Sequence, residues 1–162
     1  MAGQADESNA EYKVKAGYLY NFTKFITWPI DDSTTFNICI LGQDPFGDLI
    51  DPIEKRTAFG SPIKLIRVNA LTKTQRCHIV FISSGNKEEF VARNALIVRD
   101  LGNSLSVGEG EAFAEGSGMI GFVNRDGKIK LQINLKTLQK SGLTVSAKLL
   151  EVAEIIGGNG HE

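Results

Sequence analysis

FNICILG, Phe36 to Gly42, is the stretch on which the fold turns. It is short, mostly apolar and closed by glycine, so it predicts a strand buried on both faces rather than an amphipathic helix. CHIVFIS (Cys77–Ser83) repeats the pattern, PIKLIRV (Pro62–Val68) supplies another extended run, and SLSV (Ser104–Val107) a short one. Between the first two runs, DPFGDLIDPIEK (Asp44–Lys55) predicts a short helix broken by Pro52, and Lys87–Ala95 predicts a helix after CHIVFIS. Upstream, YKVKAGYLYNFTKFITW (Tyr12–Trp28) puts Val14, Tyr18, Phe22, Phe25 and Ile26 on one helical face, and Pro29 ends the helix. Downstream, Met119–Val123 and Lys128–Asn134 form a hairpin around Asp126-Gly127. Ser146–Ile156 predicts a closing helix capped by Ser146, with Leu149, Leu150, Val152, Ala153 and Ile156 as its apolar side. The alternation predicts an α/β three-layer sandwich: a mixed, largely parallel central sheet with a C-terminal β-hairpin plus helix.

The chain has 162 residues, 42% of them hydrophobic and 23% charged, enough for one ordinary globular core. Eighteen basic against nineteen acidic residues give a net charge of −1. The balance is also local, nine of each sign in residues 1–81 and nine basic against ten acidic in 82–162. No basic face for sequence-independent nucleic-acid binding follows from such a distribution. No apolar run approaches the ~20 residues that span a bilayer. Residues 1–10 are small and polar and are expected to be a disordered tail. Residues 11–156 form the single domain, and the Gly-rich 157–162, with His161, a flexible tail.

Few residues offer chemistry. Gly116-Ser117-Gly118-Met119-Ile120-Gly121 matches G-x-G-x-x-G, but a strand follows it where a dinucleotide fingerprint needs a helix, so these glycines are expected at turns or close-packed positions. His78 adjoins Cys77, yet neighbours in a strand face opposite ways and cannot form a dyad. Ser83-Ser84 lacks the nucleophile elbow. Glu109, Glu111 and Glu115 alternate in GEGEAFAEG without the pattern of a calcium loop, so a solvated loop and a short helical turn are expected and no metal or cofactor. In an open α/β sheet ligands sit beyond the carboxyl ends of the strands, which makes Gly42, Gln43, Asp44, Ser83, Ser84, Gly108 and Glu109 a possible ligand crevice. Cys39 and Cys77 are read either as two buried thiols or as one bridge.

Three stretches together resemble the YfiR-like family of secreted bacterial regulators. They are VKAGYLYNFTKFITWP (Val14–Pro29), CHIVFIS, and GMIGFVNRDGKIKLQINLKTLQKSGLTVSAKLLEVAEII (Gly118–Ile156). Gly121, Ser117 and Leu131-Gln132 depart from the family's usual residues. The resemblance implies a periplasmic protein made with a signal peptide, this chain being its mature form, and an α/β sandwich that tends to homodimerise. It implies a non-catalytic role, binding the periplasmic sensor region of an inner-membrane diguanylate cyclase or other signalling protein and lowering cyclic-di-GMP. It also implies a bridge between Cys39 and Cys77, on strands made neighbours by a 2-1-3 order, with one strand sliding or bending to absorb their offset. The first helix carries more apolar residues than one core face needs, so Tyr18, Tyr20, Phe25 and Trp28 are expected as partner anchors. The competing class is a small-ligand sensor or enzyme using the crevice.

Overall fold

A computed structural model describes residues 2–71, 75–83, 102–116 and 118–156, with side chains from residue 9. The chain order is α1 (Ala2–Phe25), β1 (Ile26–Thr27), β2 (Phe36–Leu41), β3 (Thr57–Ala58), β4 (Ser61–Val68), β5 (Ile79–Ile82) and β6 (Leu105–Glu109), followed by α2 (Glu111–Glu115), β7 (Ile120–Arg125), β8 (Lys128–Asn134), α3 (Leu135–Lys140), β9 (Thr144–Val145), α4 (Ala147–Glu151) and β10 (Ala153–Ile156). Eight strands form one sheet in the order β10-β8-β7-β6-β5-β2-β4-β3. Only β7–β8 and β3–β4 pair antiparallel, so the sheet is mixed and largely parallel, as expected. All six residues of β2 are buried, which is what a strand between β4 and β5 with both faces covered requires.

Alternation along the strands sorts the core into two clusters. Ile38, Ile40, Ile79, Phe81, Val107 and Phe122 belong to the larger one, with Leu19 and Phe22 of α1 lying on it. Phe22 stacks on Phe122 with ring centres 6.3 Å apart. Cys39, Leu41, Cys77, Val80 and Ile82 form the smaller cluster. At its rim the Phe113 ring lies against both Gly108 and Gly118, where a Cβ would collide with it, and a Cβ on Gly121 would press on the Gly110 carbonyl at 3.2 Å. The G-x-G-x-x-G glycines at 118 and 121 are therefore close-packing positions.

Several boundaries differ from expectation. α1 starts at Ala2, so the stretch expected to be a disordered tail is helical. Its helix formers Ala2, Gln4, Ala5, Glu7 and Ala10 outnumber the weaker Gly3, Asp6, Ser8 and Asn9. The helix stops at Phe25 instead of Trp28, because Ile26 and Thr27 pair antiparallel with Val145 and Thr144. Asp44–Lys55 forms two 3₁₀ turns, Gly47–Leu49 and Asp51–Lys55. Pro52 sits in the first turn of the second, where its missing N–H is no loss, and does not break it.

The predicted helix Ser146–Ile156 is a helix only to Glu151. Ser146 does cap it, accepting from the Lys148 N–H, but Ala153–Ile156 continues as β10, parallel to β8. Val152, Ile155 and Ile156 are β-branched, and Arg125 grips both carboxylate oxygens of Glu154 at 2.9 and 2.8 Å, holding the strand at the sheet edge. The hairpin stands as expected, with Asp126 and Gly127 both at positive φ. The helix expected over Lys87–Ala95 and the tail at 157–162 lie outside the described residues.

Cys39 and Cys77 are bridged, their Cα atoms 5.8 Å apart. Since Cys39 lies level with Val80, straight strands would leave it about 11 Å from Cys77. The chain bends instead: Cys77 and His78 precede β5, Cys77 joins the Cys39 cluster, and His78 turns to stack on Phe36 of the larger core. The 38-residue separation makes the bridge worth about 4 kcal/mol on the chain-entropy account. Urea unfolding with and without reductant should differ by about that amount, and a thiol count on the denatured, unreduced protein should find none free.

Candidate functional site

The bend at Arg76–His78 is tied down from several sides. The Asn37 side-chain amide donates to the Arg76 carbonyl at 2.7 Å and the His78 N–H to the Asn37 carbonyl at 2.9 Å. The Trp28 indole N–H and the Leu105 N–H both end on the His78 carbonyl, at 2.8 and 2.9 Å. The Asn37 backbone N–H donates to His78 Nδ1 at 3.0 Å, so the neutral ring carries its proton on Nε2 and donates it to Asp31 at 3.1 Å. Burial pushes the imidazole below its ordinary range, the Arg76 charge adds to this, and Asp31 opposes both. Partial burial works against an ionised Asp31, but the Ser33 N–H and the Arg76 guanidinium at 3.0 Å outweigh it and hold the carboxyl below the usual carboxylate range.

Beside this bend lies a notch of about 210 Å³ walled by Trp28, Phe36, Phe59, Ile30, Asp31 and His78, among others. Its rings are in mutual contact, Trp28 edge-on to Phe36 at 4.9 Å and Phe59 6.0 Å from each of them. Phe59 and Gly60 form the two-residue turn between β3 and β4, both at positive φ. That turn type suits Asn-Gly. A phenylalanine there costs roughly 1–2 kcal/mol of backbone strain, yet Phe59 is 61% exposed and recovers little of this by burial. Ile30 at the rim is fully exposed.

The expected site residues are dispersed. Trp28 is 7% exposed and part of the core, so it is a wall and not a projecting anchor. Tyr18, Tyr20 and Phe25 are half-buried against the main cluster, and the Tyr20 ring lies under Lys24 and Arg56, at 5.0 and 5.1 Å. Of the crevice, Gly42 donates its N–H to the Val68 carbonyl, Gln43 is exposed, and Asp44 is paired to Arg67 at 2.7 Å. Ser83 is buried and donates to the Leu41 carbonyl, Ser84 lies outside the described residues, and Phe113 covers Gly108.

Glu109 binds the buried Lys15 at 2.6 Å and accepts from Tyr12 at 2.7 Å, latching α1 to the end of β6. Burial, and then Glu109, push the Tyr12 phenol upward. Glu111 pairs with Arg125, and Glu109 and Glu111 line one open cavity of about 470 Å³ together with Glu11, Tyr12 and Lys15. Sequence reasoning missed Ile30, Phe36 and Phe59. The available signal was Phe59-Gly60, a bulky residue where a tight turn calls for asparagine.

Two outcomes follow. His78 is held neutral, so its contribution is complete above the unfolded pKa of about 6.5 and is lost as pH falls through the lower folded value. Stability should drop below pH 6.5 with a slope of at most about 1.4 kcal/mol per pH unit, and His78→Asn should remove that part of the slope in thermal melts. Glu109→Ala should cost about 2–3 kcal/mol by urea unfolding, less than the ~3–5 of a fully buried broken pair because Glu11 still meets Lys15.

No helix among the described residues is long and apolar enough to cross a membrane. No curated protein matches the chain. A family model described as YfiR/HmsC-like matches residues 12–154, from the latch residue Tyr12 to Glu154 on the edge strand. Members of that family are periplasmic regulators of diguanylate-cyclase signalling. With the match running from the first helix through the bridge to the last strand, the chain belongs to the YfiR/HmsC-like family.

Proposed function

We propose that this protein is a non-catalytic periplasmic regulator that binds the periplasmic sensor region of an inner-membrane diguanylate cyclase, represses it and so lowers cyclic-di-GMP. The observation that carries the reading is the family match over residues 12–154. The Cys39–Cys77 bridge supports it, since such bonds persist in oxidising compartments. The site's character supports it as well. Asp44, Gly108 and Glu109 of the strand-end crevice are engaged by Arg67, Phe113 and Lys15, whereas the Phe59 ring and Ile30 stand exposed beside the buried Trp28. A surface of that kind suits a protein partner better than a polar substrate. The half-buried Tyr18, Tyr20 and Phe25 of α1 extend the contact face in this reading, and the regulator acts as a homodimer.

The test is cyclic-di-GMP in the source bacterium. Deleting the gene should raise the nucleotide, and restoring the chain with a periplasmic export signal should bring it down. Restoring it without export should leave it high. Unchanged nucleotide in all three strains would refute the proposal.

A further inference from the structure

We infer that the notch between Trp28, Phe36 and Phe59 is the seat for one large apolar side chain, carried on the partner's periplasmic region next to a basic residue. This rests on the regulatory reading above and names the chemistry that the partner must present.

Size is the first argument. Enclosed sites for small molecules run from about 300 to 1,000 Å³, and the notch, at about 210 Å³, has room for a single side chain such as Phe or Leu. Strain is the second. Phe59 holds a left-handed conformation that asparagine or glycine would adopt more easily, and it remains 61% exposed. Its ring closes one side of the notch, and burial under a partner would offset what the free chain does not recover. Ile30, fully exposed beside it, extends the apolar rim, the arrangement in which an inserted side chain is sealed from water.

Charge supplies the third argument and selects the neighbour. Asp31 and Asp32 follow Ile30 directly. Arg76 pairs with Asp31, while Asp32 is exposed and has no ion-pair partner among the described residues. Asp31 is the one carboxylate on the notch lining and Arg76 pairs with it, so the uncompensated negative charge is that of exposed Asp32, next in the chain, and it favours a lysine or arginine adjoining the inserted side chain.

Trp28, the chain's one tryptophan, makes the site directly observable through its indole N–H resonance. The ¹⁵N-labelled protein is titrated with acetyl-Phe-Lys-amide, acetyl-Phe-Glu-amide and acetyl-Ala-Lys-amide. The first should move the Trp28 resonance saturably, the second should bind about fivefold more weakly, and the third should leave the resonance in place. Phe59→Asn suits the turn, so it should melt at the same temperature or higher while binding the first peptide about tenfold more weakly. Ile30→Ser, at a fully exposed position, should weaken binding without touching the fold.

In cells, exported Phe59→Asn should lose most of the cyclic-di-GMP lowering seen with the unaltered chain. A Trp28 resonance that none of the peptides moves, or a Phe59→Asn variant that represses fully, overturns the inference while leaving the regulatory reading intact. Saturable binding of acetyl-Phe-Lys-amide by a chain that has no effect on cyclic-di-GMP refutes the regulatory reading and supports the notch.

Discussion

The Cys39–Cys77 bridge is the constraint on which the rest of the site depends. Parallel pairing of β2 with β5 sets Cys39 level with Val80, so a cysteine at 77 reaches it only if the chain leaves the strand direction before Ile79. The bend needed for the bridge turns His78 onto Phe36 and presents its carbonyl to the Trp28 indole. One covalent link between two neighbouring strands thus organises a floor of aromatic rings on the opposite face of the sheet. The bridge itself lies in the smaller cluster and the rings in the larger, so the effect passes through backbone geometry and not through shared packing.

A second, polar tie holds the middle of α1. Lys15 is buried between Glu109 and Glu11 and lies 4.5 Å from the centre of the Tyr12 ring. A buried ammonium is costly unless charges and hydrogen bonds surround it, and here both do. The apolar contacts of Leu19 and Phe22 hold α1 on the sheet but are non-directional. The Lys15 latch near its middle and the β1–β9 pairing just past its C-terminus set its position. Both ties converge on the placing of Trp28, three residues past the helix.

Much of this was legible in the sequence, and the exceptions have physical causes. β2 and β5 announce themselves because strands buried on both faces need continuous apolar runs. Asp126-Gly127 marks its hairpin because two successive positive φ values exclude most residues. Gly118 and Gly121 could be assigned to packing because the strand that follows them ruled out a nucleotide loop. β10 was hidden because Leu149, Leu150, Val152, Ala153 and Ile156 satisfy helical spacing. Only the edge of β8, distant in sequence, draws Ala153–Ile156 into the sheet, where Glu154 meets Arg125. The notch was hidden for the same reason. Trp28, Phe36, Phe59 and His78 come from four separate segments, and nothing local says that the bend at Cys77 brings them together. Trp28 reads in the sequence as a projecting anchor because it follows an aromatic-rich helix, whereas its N–H needs a buried acceptor and finds one at His78.

The central claim, that the bridge builds the notch, is tested most directly by native-state hydrogen exchange of the Trp28 indole N–H. The comparison is between the bridged protein and the Cys39→Ala/Cys77→Ala double variant, with the β7–β8 amides as internal reference. If the bridge sets the bend, the indole loses protection well beyond the loss seen across β7 and β8, because the His78 carbonyl that it donates to is no longer held in place. Equal loss at both places would mean that the bridge only stabilises the fold as a whole, and would contradict the account.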